Sequence, residues 1–456
     1  MSDSGSLFND DDLFGSSEPV VRETRQSEPE SAPYAARYSN SRIKPISLDG
    51  LNPMQREAAE HVNGPLLVVA GAGSGKTRVL THRIAHLISN HGVSPMNVLA
   101  ITFTNKAAGE MKHRVESLIG PVAKSMWVST FHSACVRILR VHAERIGYPK
   151  TFSIYDQADA QRLTGYVIRD MGLDAKRFTP RAVHAVISNW KNELVSPSQA
   201  AEQAAHIFDR KHSEIYREYQ ERLLKAGAMD FDDLLVNVVR LFRMHTDVLA
   251  SYQDRFKYIM VDEYQDTNIA QNEIVLSLSA RHQNVCVVGD TDQSIYAFRG
   301  ADFRNIGQFE NAFDEVSVVL LEQNYRSTQN ILDAANAVIA QNFGRKPKEL
   351  WTETGPGDAI VRFHAEDEGD EAAFVARTMQ TLRTGGRKWG DMAVFYRTNP
   401  QSRVVEEIFM RFGVPYKVVG GTRFYDRREI KDAVAYLRVI TNPLDEVSVK
   451  RVLNMP

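Results

Sequence analysis

The run Ala70-Gly71-Ala72-Gly73-Ser74-Gly75-Lys76-Thr77 puts three glycines, a lysine and a hydroxyl at a spacing that suits a chain of phosphates. Glycines let backbone N–H groups turn inward around an anion, and a helix N-terminus adds unpaired donors and its positive dipole end. Lys76 is placed to reach the β- and γ-phosphates and Thr77 to hold Mg²⁺. The pattern departs from a P-loop at its first position, where Ala70 stands for glycine. The plainer alternative is a glycine-rich turn, but Lys76-Thr77 in register points to a nucleoside triphosphate.

A second pair, Asp262-Glu263, ends the apolar run Tyr258-Ile259-Met260-Val261. Adjacent carboxylates there are costly without a cation. Asp262 reads as the metal ligand and Glu263 as the acceptor of a proton from attacking water; a helix cap is the alternative. Gln293 is placed to sense a γ-phosphate, and Arg326 is an arginine-finger candidate. Gln55, upstream of the loop, has an amide suited to an adenine edge.

Phe103 and Thr130-Phe131-His132 close two successive apolar runs, a pattern that suits phosphates and base faces. Capping hydroxyls explain Ser129 and Thr130 equally well, but exposed aromatics less well. Tyr296, Phe298 and Arg299 are further candidates for stacking on bases.

These residues need a scaffold. Apolar runs that read as buried strands alternate with helical periodicity, which predicts an α/β fold. Residues 1–47 are rich in Ser, Asp, Glu and Pro, and a disordered acidic tail is expected. Residues 134–226 read as an all-helical insertion. Strands are expected again at 359–363, 392–397 and 415–419. Hydrophobic residues make up 43% and charged residues 25%, a globular composition. With 55 basic and 57 acidic residues, any nucleic-acid surface must be local. Cys135 and Cys286 read as core thiols, and no run suits a membrane or a secretory signal. A cytoplasmic location is the expectation.

Seven motifs occur in order: residues 51–55, 71–77, 102–106, 130–133, 262–266, 289–300 and 323–327. Together they resemble the superfamily 1 DNA helicases of the UvrD/PcrA/Rep type, from about residue 48 onward. The resemblance implies a P-loop NTPase with RecA-like parallel sheets and helical insertions. The first RecA-like domain would be 48–133 with 227–318, interrupted by 134–226. A partial second one would cover 319–424, and 425–456 would begin a second insertion.

By the same resemblance Gln55 and Arg78 contact adenine, Tyr325 stacks on it, and Gln293 and Arg326 contact the γ-phosphate. Phe103, His132, Tyr296 and Phe298 touch DNA. The implied activity is ATP-dependent 3′→5′ movement on single-stranded DNA and unwinding of 3′-tailed duplex, with repair or replication proteins as partners. Two later motifs of that family, one carrying a second arginine, are not found in 319–456, so a longer chain is expected. The alternatives are an ATP- and DNA-binding module without turnover and a helicase–nuclease subunit.

Overall fold

The computed structural model describes residues 43–296, 300–302, 304–342, 347–419 and 428–453. The expected tail at 1–47 therefore falls almost wholly outside the described residues. Two compact units emerge: a larger one within 17–357 and 432–456, and a smaller one whose described part is 358–419 with 428–431.

The strands of the larger unit are β1 (Leu66–Ala70), β2 (Val98–Thr102), β3 (Trp127–Thr130), β4 (Ser153–Tyr155), β5 (Ala228–Asp230), β6 (Tyr258–Val261), β7 (Val285–Gly289) and β8 (Ser317–Leu321). Six form one sheet in the order β3-β2-β6-β7-β1-β8. Every pairing in it is parallel, with Leu66 beside Cys286 on one side and Ser317 on the other. The interior strands are continuous apolar runs because helices cover both faces. Alternate β1 residues divide accordingly. Leu66, Val68 and Ala70 pack with the helices Lys76–Ser89 and Asn105–Ile119. Leu67 and Val69 pack with Phe131–His142, Phe231–Met244 and Ile269–Ser279. Each face buries one of the two cysteines.

The insertion differs from expectation in two ways. It is not all-helical: β4 pairs with β5 as a parallel two-stranded ladder. Its beginning is also later than residue 134, because Ile138, Leu139, Ile146 and Phe152 still belong to the core under the large sheet. An amphipathic helix looks the same in sequence whichever core receives its apolar face. The insertion's own core gathers Tyr155, Leu163, Val167, Ile187 and Tyr219, and also takes in Val447. Polar contacts bring that distant segment in: Tyr155 Oη donates to Asp445 Oδ1 (2.5 Å), Arg438 pairs with Asp159 (2.7 Å) and Asn442 Nδ2 donates to the Ala226 carbonyl (2.7 Å).

The expected domain boundary at 318/319 falls inside β8, which is the last strand of the first sheet. In the smaller unit the helices Glu368–Thr384 and Ser402–Phe412 pack around Ala376, Phe409 and Val414. The strands expected at 359–363, 392–397 and 415–419 are not realised; no ladder involves them among the described residues. Their apolar side chains are largely exposed, Val361 and Phe395 among them. A β-rich sequence becomes a strand only where a neighbour supplies its hydrogen bonds.

Candidate active site

Parallel sheets bind ligands at the carboxyl ends of their strands, where chain direction diverges. β1, β6 and β7 end side by side, and each is followed by a chemically loaded turn. After β1, Gly75 takes the left-handed conformation (φ 89°) as N-cap of the helix Lys76–Ser89. The carbonyls of the glycine loop are engaged from outside. Gly71 O accepts from Ser74 Oγ (2.7 Å), Ala72 O from Asn324 Nδ2 (2.6 Å), Gly73 O from Tyr325 N (3.0 Å) and Ser74 O from Gln55 Nε2 (2.8 Å). Oxygens that would repel a phosphate are thereby held on the outer side of the loop.

Lys76, which follows β1, meets residues from the ends of β6 and β7. Its Nζ lies 3.0 Å from Glu263 Oε2 and 3.4 Å from Gln293 Oε1. Gln293 Nε2 in turn donates to Asp290 Oδ2 (2.5 Å). Asp262 is buried and hydrogen-bonded by the Thr77 hydroxyl; burial, then the Glu263 charge, pushes its carboxyl up from 3.8 to about 7. Burial and Glu263 likewise push Asp266 up to about 7. One lysine beside this cluster of acids leaves it short of positive charge. The pair Thr77 hydroxyl and Asp262 carboxylate is the protein's share of the donor set that Mg²⁺ takes, together with phosphate oxygens and waters, in phosphoryl-transfer sites.

The other predicted positions are distributed as follows. Gln55 is buried, and its amide already closes a capping box with Asn52 besides holding Ser74. Arg78 is exposed and donates to the Gly50 carbonyl (2.8 Å). Tyr325 is exposed, its hydroxyl joined to Gln323 and Asn52 (both 2.8 Å). Arg326 is exposed beside the loop: a Cβ added at Gly73 would lie 2.9 Å from the Arg326 Cβ.

Phe103 and Tyr296, from different turns, stack on each other with centroids 5.4 Å apart. The other pair departs from the exposed platform expected. Phe131 and His132 are buried, and His132 lies edge-on to Phe231 at 5.9 Å. Burial alone pushes the His132 imidazole down to about 4, so it is neutral at pH 7. Thr130 Oγ1 accepts from Ser133 N (3.3 Å), the capping role that its position equally allowed. Phe298 and Arg299 lie outside the described residues.

Four participants were missed in the sequence. Asn324 sits inside a motif already noted, and its side chain caps its own turn through Arg326 N and Ser327 N (2.8 and 2.7 Å). Lys348, 3% exposed, makes ion pairs with Asp290 and Asp292, and the Leu350 side chain lies against Gly71. Nothing local in sequence marks either residue. Gln265 is the fourth: it is buried between the turns after β6 and β7.

A glycine loop followed by Lys76-Thr77, a carboxylate pair and a glutamine on adjacent strand ends have the arrangement of the P-loop NTPases. Residues 51–314 match the UvrD/REP helicase N-terminal domain, and residues 319–456 match the UvrD-like helicase C-terminal domain. The chain belongs to the UvrD/REP helicase family. It is 53% identical over 410 residues to the ATP-dependent DNA helicase PcrA of Bacillus subtilis, covering 90% of this chain and 56% of that protein. It is 54% identical over 421 residues to the ATP-dependent DNA helicase UvrD1 of Mycobacterium tuberculosis, covering 90% and 55%. The chain thus spans a little over half the length of these relatives. Among the described residues no helix is long and apolar enough to cross a membrane.

Proposed function

We propose that this chain carries the ATP-hydrolysing part of a 3′→5′ DNA helicase, moving on single-stranded DNA and opening 3′-tailed duplex. The observation that carries the reading is the convergence of Lys76 Nζ on Glu263 Oε2 (3.0 Å) and Gln293 Oε1 (3.4 Å) from three strand ends. Lys76 and the loop N–H groups hold the β- and γ-phosphates of ATP, and Thr77 and Asp262 hold Mg²⁺. The metal, when bound, neutralises charge on the phosphates. Glu263 orients the attacking water and takes its proton. Gln293 and Arg326 contact the γ-phosphate, Gln55 and Arg78 contact adenine, and Tyr325 stacks on it.

Single-stranded DNA binds across Phe103 and Tyr296, and Phe298 and Arg299, which lie outside the described residues, are further DNA contacts by resemblance to the family. Thr130 and His132 contribute from beside it, His132 as a neutral ring. The cytoplasm and partners in repair or replication fit this reading.

The test is ATP hydrolysis by the 456-residue chain with and without single-stranded DNA, beside Lys76→Ala and Glu263→Gln. DNA-stimulated turnover that falls by roughly 10²–10⁴-fold in Glu263→Gln is expected. Retained hydrolysis in both variants overturns the site. ATP binding without turnover by the unaltered chain supports instead a nucleotide- and DNA-binding module.

A further inference from the structure

Among the described non-glycine residues only Leu194, Glu263 and Gln283 have positive φ, and Glu263 (φ 52°, ψ 47°) is the one inside the site. A left-handed glutamate costs free energy and persists only where its surroundings over-determine it. Gln265 supplies that determination. It is 1% exposed; its Nε2 donates to Glu263 Oε2 (2.9 Å) and its Oε1 accepts from Asp290 N–H (2.9 Å). The amide has one workable orientation, because a backbone N–H must face the oxygen, which leaves the NH₂ group for the carboxylate. Space for it is reserved: a Cβ at Gly289 would stand 2.9 Å from Gln265 Oε1.

Followed onward, the contacts close into a ring. Asp290 accepts from Gln293 (2.5 Å), Gln293 meets Lys76 (3.4 Å), and Lys76 returns to Glu263 (3.0 Å). The geometry points to Gln265 as a positioning residue that aims the Glu263 carboxylate and ties it to the turn carrying Gln293. A shift of Gln293 on gain or loss of a γ-phosphate is then passed to Glu263 through Asp290 and one buried amide. The proposal rests on the hydrolytic reading above.

Two variants of the full chain separate the two ends of the amide. Gln265→Met removes both hydrogen bonds at similar volume. Gln265→Glu keeps an acceptor for Asp290 N–H but turns a carboxylate toward Glu263. Thermal melts confirm that each is folded.

Two readouts follow: kcat and KM for DNA-stimulated ATP hydrolysis, and amide hydrogen exchange at Asp290. The expected result is a ten- to hundredfold fall of kcat in both variants with KM within threefold of wild type. Exchange at Asp290 quickens at least tenfold in Gln265→Met and not in Gln265→Glu. A Gln265→Met kcat within threefold of wild type, or a KM rise as large as the kcat loss, overturns the proposal. If the unaltered chain does not turn over, the hydrolytic reading fails by itself. The exchange pattern then decides: quickening in Gln265→Met alone supports the tie, and quickening in both variants or in neither overturns it.

Discussion

Asp262 and Asp266 occupy ground where an ionised carboxylate is disfavoured, and that has a measurable sign. Burial raises the folded-state carboxyl of Asp262 to about 7, against 3.8 ordinarily. Between those values the native chain holds a proton that the unfolded chain has released, so this residue's contribution to stability falls as pH rises from about 4 to about 7. Asp262→Asn keeps the shape without the charge. It should raise the melting temperature of the nucleotide-free protein, less at pH 5 than at pH 8, where the gain is on the order of 4 kcal/mol. A thermal melt series of the two proteins across that range checks it. An equal offset at every pH would show that the Asp262 proton is not the source.

Gly73 offers a second residue-scale test. Its φ is +70°, and an added Cβ would stand 2.5 Å from Asn324 Nδ2. Gly73→Ala therefore strains the loop and pushes away the turn that engages its carbonyls. Titration with a fluorescent ATP analogue should show at least a tenfold loss of affinity.

Among the elements, the joint between the helix Pro180–Asn192, β5 and the helix Phe231–Met244 is the most charged part of the interior. Lys191, 1% exposed, lies 2.7 Å from Asp230 and 2.8 Å from Asp233, and Tyr219 Oη also donates to Asp230 (2.7 Å). Burial works against the Lys191 charge, but the two aspartates outweigh it and hold its pKa above the ordinary value. Removing one partner of a buried pair leaves the others uncompensated. Lys191→Met should cost about 3–5 kcal/mol in denaturant unfolding at pH 7.5. The cost should shrink at pH 5, because burial lifts Asp233 to about 6 even with the lysine present.

This joint also marks where sequence reading stops. The strands that carry the site were legible, since Val285–Gly289 and Leu66–Ala70 are apolar throughout and end in polar turns. Lys76, Asp262 and Glu263 could be named because their chemistry sits within a few residues of a strand end. Lys191 reads in sequence as one more helical lysine, and its partners are 39 and 42 positions away (230 − 191; 233 − 191). Lys348 was unreadable for the same reason, its partners lying 58 and 56 positions away. Gln265 stands inside the 262–266 motif, but nothing there marks its contact with Asp290, 25 positions on. The helix Phe131–His142 misled differently: its periodicity was plain, but not that it buries Phe131 and His132 under the sheet.

At the scale of the whole molecule, the two compact units should answer differently to ligand. Residues of the nucleotide site all belong to the larger one. A nucleotide stabilises whatever binds it by mass action, by about 2.7 kcal/mol at a hundredfold excess over Kd. Hydrogen-exchange mass spectrometry with a non-hydrolysable ATP analogue should show protection in peptides of 66–80 and 258–293, with those of 368–412 unchanged. Equal protection everywhere would mean that the units unfold as one.

The place of Val447 in the core of the insertion has a consequence for synthesis. Its companions there, Tyr155 to Ala228, leave the ribosome some 219 residues earlier (447 − 228). At bacterial-scale elongation the gap is roughly 10–45 s. Throughout it the Tyr155 hydroxyl waits for Asp445 and Asp159 for Arg438. The nascent insertion thus stays an unfinished surface for that interval.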